Sequence, residues 1–134
     1  MNKKHLAALA TAVLLAISGV VAGGAQAAPF EPGLPLSPVS QEQAVRKAKD
    51  YLDYTAFSRQ GLITQLVSAE HFSDDDATYA VDSLNVDWNQ QAAKKAKDYL
   101  EYTSFSHDGL ITQLVSAEKF TPAQAEYGVA AAGL

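Results

Sequence analysis

The sequence predicts an all-α protein: a tandem repeat of two three-helix, helix-turn-helix-like units behind a signal peptide and a proline-rich spacer. Three observations carry that prediction. Residues 44–81 align with residues 92–129 at a constant offset of 48, without gaps, with 25 identities in 38 pairs. Within each copy the apolar residues recur at the 3.6-residue period of a helix rather than in strand-like alternation. Ser, Thr or Asp stands where each periodic stretch begins, as a helix N-terminus requires. Self-similarity on this scale makes each copy one structural unit that leans on its neighbour.

Ahead of the repeats, Lys3 and Lys4 precede the uncharged apolar run Leu6–Ala22, and Ala25-Gln26-Ala27 follows it. A basic start, an apolar core and a small-x-small site define an export signal over residues 1–27, cut between Ala27 and Ala28. No later stretch reaches the ~20 apolar residues of a bilayer span. The mature chain is therefore expected without a transmembrane span, either secreted or associated with the cell surface. Residues 28–40 place Pro29, Pro32, Pro35 and Pro38 at every third position, the period of a polyproline II helix. They read as a stiff spacer. The two repeats then occupy residues 41–85 and 86–134.

Within the first repeat, Ala44, Ala48, Tyr51, Leu52 and Thr55 make one stripe of a first helix. Ser40 with Gln43, and Asp87 with Gln90 in the second repeat, form candidate capping boxes. Second helices open at Ser58 and Ser106. Phe57 and Leu62, matched by Phe105 and Leu110, are set to staple across the cap. Third helices start at Ser73 and Thr121, the latter followed by Pro122 at the first helical position and Gln124 at the third. Units of roughly 40 residues without disulfides or metal are marginal alone. Contact through Leu84–Trp88 is therefore expected, with Trp88 as the wedge between repeats.

Composition excludes several kinds of chemistry. The 134 residues contain no Cys, which removes disulfides, thiolate metal sites and thiol nucleophiles. With 10 basic against 15 acidic side chains, the chain repels nucleic acid in general. The third helix of the first repeat carries Asp74, Asp75, Asp76 and Asp82 and no cation, where a DNA-reading helix needs basic and amide groups. No nucleic-acid partner is expected. Asp74-Asp75-Asp76 becomes Pro122-Ala123-Gln124 in the second repeat, and no calcium-loop pattern occurs, so no metal is expected. His71 aligns with Lys119 and His107 with Arg59, and no nucleophile elbow, zinc-protease motif or phosphate loop is present. No catalytic residues, cofactor or enzymatic activity are expected.

Two surface features remain. Arg46, Lys47 and Lys49, matched by Lys94, Lys95 and Lys97, read as a solvated face neutralised by i,i+4 pairs such as Arg46–Asp50 and Lys94–Asp98. Six tyrosines form three equivalent pairs. Tyr51 and Tyr99 are expected in the cores, with Tyr54, Tyr79, Tyr102 and Tyr127 at the rim.

The repeated string KAKDYLDYTAFSRQGLITQLVSAEHF, with its later A-x-Y-x-V, resembles the Ltp-like helix-turn-helix repeat of exported bacterial and prophage-encoded proteins. The resemblance spans both copies. It implies a tandem three-helix surface protein that works by protein–protein contact and blocks the passage of another phage's DNA into the cell. It brings no catalytic residues. Lipoproteins of the family carry a lipid-bearing Cys, and this sequence departs from them in having none. The expected partner is a protein, either a component of the phage injection machinery or of the envelope. The expected partner face is the acidic third helix of the first repeat, Asp74, Asp75, Asp76 and Asp82, with Tyr79 beside it. A structural or adaptor protein of the cell envelope with no phage role is the alternative. Oligomeric state is left open by the sequence.

Overall fold

A computed structural model describes residues 38–134; the predicted signal peptide, its cleavage residues Ala27 and Ala28, and most of the spacer lie outside them. The described residues form six helices and no strand: α1 (Pro38–Tyr54), α2 (Arg59–Ser68), α3 (Asp74–Ser83), α4 (Trp88–Tyr102), α5 (His107–Ser116) and α6 (Pro122–Ala131). The first three make one repeat and the last three the other. In each, the first helix packs most closely on the third, and the second helix closes over them. Alanines on the facing stripes permit that approach, since Ala44, Ala48, Ala77 and Ala80 are all fully buried. Leu62, Leu66 and Val81 fill the first core, and Leu110, Leu114 and Val129 occupy the same places in the second.

Local capping chemistry sets the helix starts. Ser58 accepts from the Gly61 amide at 2.9 Å, Ser106 from Gly109 at 3.0 Å and Ser73 from Asp76 at 3.1 Å. Thr121 and Gln124 close both halves of a capping box, at 3.2 and 3.0 Å. Asp87 caps α4 through the Gln90 amide at 3.1 Å, whereas the Gln90 side chain donates to the Tyr127 hydroxyl instead. The expected Ser40 cap is not made. Ser40 lies inside α1, which already runs at Pro38, and its hydroxyl donates to the Asp76 carboxylate. The first unit thus extends beyond the expected boundary at residue 41.

Where α2 and α5 end, His71 and Lys119 adopt φ of 62° and 67°. The chain doubles back there, and the Phe72 and Phe120 amides reach the Leu66 and Leu114 carbonyls at 3.1 and 3.0 Å. The two copies share a backbone turn at this position, not a side-chain function. That is why His and Lys interchange.

The third helices differ in one telling place. Gly128 in α6 faces the Ala92 backbone so closely that a Cβ would lie 2.6 Å from the Ala92 carbonyl carbon. The first repeat has Ala80 at that position, and Ala44 at the position of Ala92. We expect Gly128→Ala to lower the urea midpoint. An overpacking cost of roughly 1–3 kcal/mol exceeds the roughly 0.5–1 kcal/mol gained in helix propensity. Ala80→Gly in the other repeat should also destabilise, for the opposite reason: it leaves a gap.

Between the repeats the chain turns at Asn85, with φ 51°. Trp88, the first residue of α4, packs against the first repeat's core. It carries the second unit onto the first, in the wedge position its place in the sequence suggests.

Candidate functional site

The most ordered polar feature is a four-residue network present in both repeats. In the first, the Tyr51 hydroxyl donates to Glu70 and accepts from Gln65 Nε2 at 3.3 Å, and Lys47 Nζ lies 3.7 Å from the other Glu70 oxygen. In the second, Tyr99 donates to Glu118 and accepts from Gln113 at 3.1 Å, with Lys95 at 3.8 Å. Each network ties the first helix of its unit to the end of the second helix. Phe57 and Phe105 stack edge-on against these tyrosines, with ring centroids 5.7 and 5.6 Å apart.

Desolvation first, and then the hydrogen bond to the neighbouring glutamate, pushes both Tyr51 and Tyr99 up to about 12. An unfolded-chain phenol titrates near ~10. The folded state therefore holds these protons more tightly. The stabilisation is complete below pH ~10 and is lost as the pH rises through ~12. Urea midpoints should fall steeply over that interval. The Tyr51→Phe/Tyr99→Phe double variant should lose most of the slope, and equal slopes would contradict the assignment.

The repeats meet where the loop before α2 seats on the second unit. The Phe57 amide donates to Gln91 Oε1 at 3.1 Å, and the Ser58 hydroxyl donates to the Glu118 carbonyl. Lys95 Nζ lies 5.9 Å from the centre of the Phe57 ring. Beside this seam opens a cleft of about 370 Å³, lined on one side by Thr64, Gln65 and Ser68 and on the other by Tyr99, Gln113 and Lys119. Its walls offer hydrogen-bond donors and acceptors from both units.

The expected solvated basic face needs correction. Lys95 is buried, its side chain 7% exposed. Lys47 turns to Glu70, and Arg46 pairs with Glu42 at 3.7 Å rather than with Asp50. Asp98 is half-buried, and desolvation raises its carboxyl above the usual range against the pull of Lys95.

The expected partner face is also divided. Asp74, Asp75 and Tyr79 are exposed on α3. Asp76 is not part of any surface: it is 5% exposed, with one oxygen taking the Ser40 hydroxyl and Oδ1 without a partner. It points inward because the α1–α3 contact covers that side of the helix. Asp82 is exposed but engaged, held by the Arg59 guanidinium in a fork at 2.7 and 2.8 Å. That fork lowers the Asp82 carboxyl and raises Arg59. Four tyrosines lie at the rim as expected: Tyr54, Tyr79, Tyr102 and Tyr127 are each between 43% and 61% exposed.

Composition and spacing along the chain do not single out Gln65, Glu70, Gln91 or Glu118. A signal existed, because Lys47, Tyr51, Gln65 and Glu70 are identical in the second repeat. Their partnership spans two helices and could not be read from spacing along one.

No helix among the described residues is long and apolar enough to cross a membrane. Fold and site together define an all-α tandem protein of two helix-turn-helix-like units, docked edge to edge beside a cleft that both units line. Residues 40–84 and 87–131 each match the family described as host cell surface-exposed lipoprotein, and the chain belongs to that family. Among solved structures it is similar to Ltp, a superinfection exclusion protein from the Streptococcus thermophilus temperate phage TP-J34. The two share 42% identity with a TM-score of 0.66, over 71% of this chain and 97% of that one. No curated protein matches the chain.

Proposed function

We propose that the chain is an exported, non-enzymatic protein-binding module that acts in superinfection exclusion, blocking the passage of an incoming phage's DNA into the cell. The observation that carries this reading is the likeness to the superinfection exclusion protein over 97% of its length, at 42% identity. The partner is a protein of the injection machinery. The face offered to it is the exposed start of α3, Asp74 and Asp75 with Tyr79. A carboxylate pair next to a half-wet aromatic ring suits a basic, partly apolar protein surface.

A phage challenge of producing cells tests both parts. Adsorption should be normal while DNA delivery fails. Asp74→Lys/Asp75→Lys should restore delivery while the protein stays folded, its melting temperature lowered by several degrees. At each site the reversal replaces a helix-terminus attraction of about 0.3–1 kcal/mol with a repulsion of similar size. Protection that survives the reversal would sink the site, and failure of the parent protein to protect would sink the function.

One observation favours a second reading, a structural or adaptor role in the envelope: these 134 residues contain no Cys to bear the lipid of the family's description. In that case phage sensitivity stays unchanged, and cross-linking captures an envelope component.

A further inference from the structure

We propose that the docking seen between the repeats is also made between chains, head to tail, with a second copy of this chain as the occupant. The seam has two unlike edges. The donor edge is Phe57, Ser58 and Gly61 of the first repeat; the acceptor edge is Gln91, Lys95 and Glu118 of the second. Each of these six residues has an identical counterpart 48 positions away in the other repeat. Phe105, Ser106 and Gly109 therefore form a second donor edge, and Gln43, Lys47 and Glu70 a second acceptor edge.

Burial of identical residues shows what the seam covers and what it leaves open. Ser58 is 1% exposed and docked, whereas Ser106, with the same capping bond, is exposed. Gln91 is buried and accepts the Phe57 amide, whereas Gln43 is exposed. The Lys95 side chain is 7% exposed and that of Lys47 34%. One chain thus presents an uncovered donor edge on its second repeat and an uncovered acceptor edge on its first. The rim differs only modestly, with His71 where the cleft has Lys119.

Unlike edges join heterologously, so association propagates rather than stopping at a symmetric pair. Inside one chain the linker holds the two edges together at an effective concentration of millimolar order. Between chains that advantage is absent, and the contact is weak in dilute solution.

Sedimentation of the protein in its exported form, across a concentration series, reads the outcome. At roughly 1 mM the weight-average mass should reach about twice that of the monomer and still be rising. Two variants block one edge each. Ser106→Asp keeps the cap but sets a carboxylate against the Glu70 carbonyl. Gln43→Lys removes the acceptor for the Phe105 amide. Both sites are exposed, so melting temperatures should match the parent. Each variant alone should stay monomeric. Their equimolar mixture should form one-to-one dimers that grow no further, because each supplies the edge the other lacks. A parent that stays monomeric at roughly 1 mM overturns the proposal. So does association that ends at a dimer, or growth that both variants leave intact. None of these outcomes depends on phage protection, so this proposal and the exclusion role fail separately.

Discussion

Replacing Glu118 with Ala should cost about 3 kcal/mol of stability, the low end for a buried ion pair that loses one partner. The change strands Lys95, whose side chain is 7% exposed, and takes the acceptor from the Tyr99 hydroxyl. Glu70→Ala makes the same deletion in the first repeat at a much lower cost. Lys47 is 34% exposed there and can turn its ammonium to water. Urea unfolding of the two variants measures the contrast. Lys95→Met/Glu118→Gln should recover most of the loss, because a neutral, volume-matched pair has no charge to desolvate. Equal costs at the two glutamates would show that the docked repeat does not seal Lys95 from solvent.

Leu66→Ala and Leu114→Ala should each cost about 2–5 kcal/mol, a large share of the roughly 5–15 kcal/mol that holds a small protein folded. Both side chains are fully buried at equivalent places in the two cores. The more informative outcome concerns coupling. Units of about 45 residues have little independent stability. Both substitutions are therefore expected to move one shared transition. Trp88, the single tryptophan, reports on the first core. Leu114→Ala lies in the second, yet it should lower the fluorescence midpoint of Trp88 together with the helical circular dichroism. A Trp88 midpoint that stays in place would mean the units unfold separately.

Features governed by neighbouring residues were legible in the sequence. Ser58, Ser73, Ser106 and Thr121 cap because the acceptor and the orphan amide lie within three positions of one another. Core stripes were legible for the same reason, since a helix imposes its own period. Asp76 was not. Its burial follows from α1 crossing α3, and its partner Ser40 is 36 residues away. The contrast between Lys47 and Lys95 was equally hidden. Identical strings predict identical environments, and only the docking of one repeat on the other makes the second lysine a buried one. For the candidate site, Asp74, Asp75 and Tyr79 lie exposed as the charge pattern indicated, whereas Asp82 is tied to Arg59 by packing between α2 and α3.

The bond from Ser40 to Asp76 has a topographical consequence. It pins the first turn of α1 beside the first turn of α3. The polypeptide therefore comes into the folded part next to Asp74 and Asp75. A pull applied from the N-terminal side enters the fold at the α1–α3 pair, beside those carboxylates. Asp74 and Asp75 thus sit where the chain enters the fold, and force on the N-terminal side would be felt first at their helix.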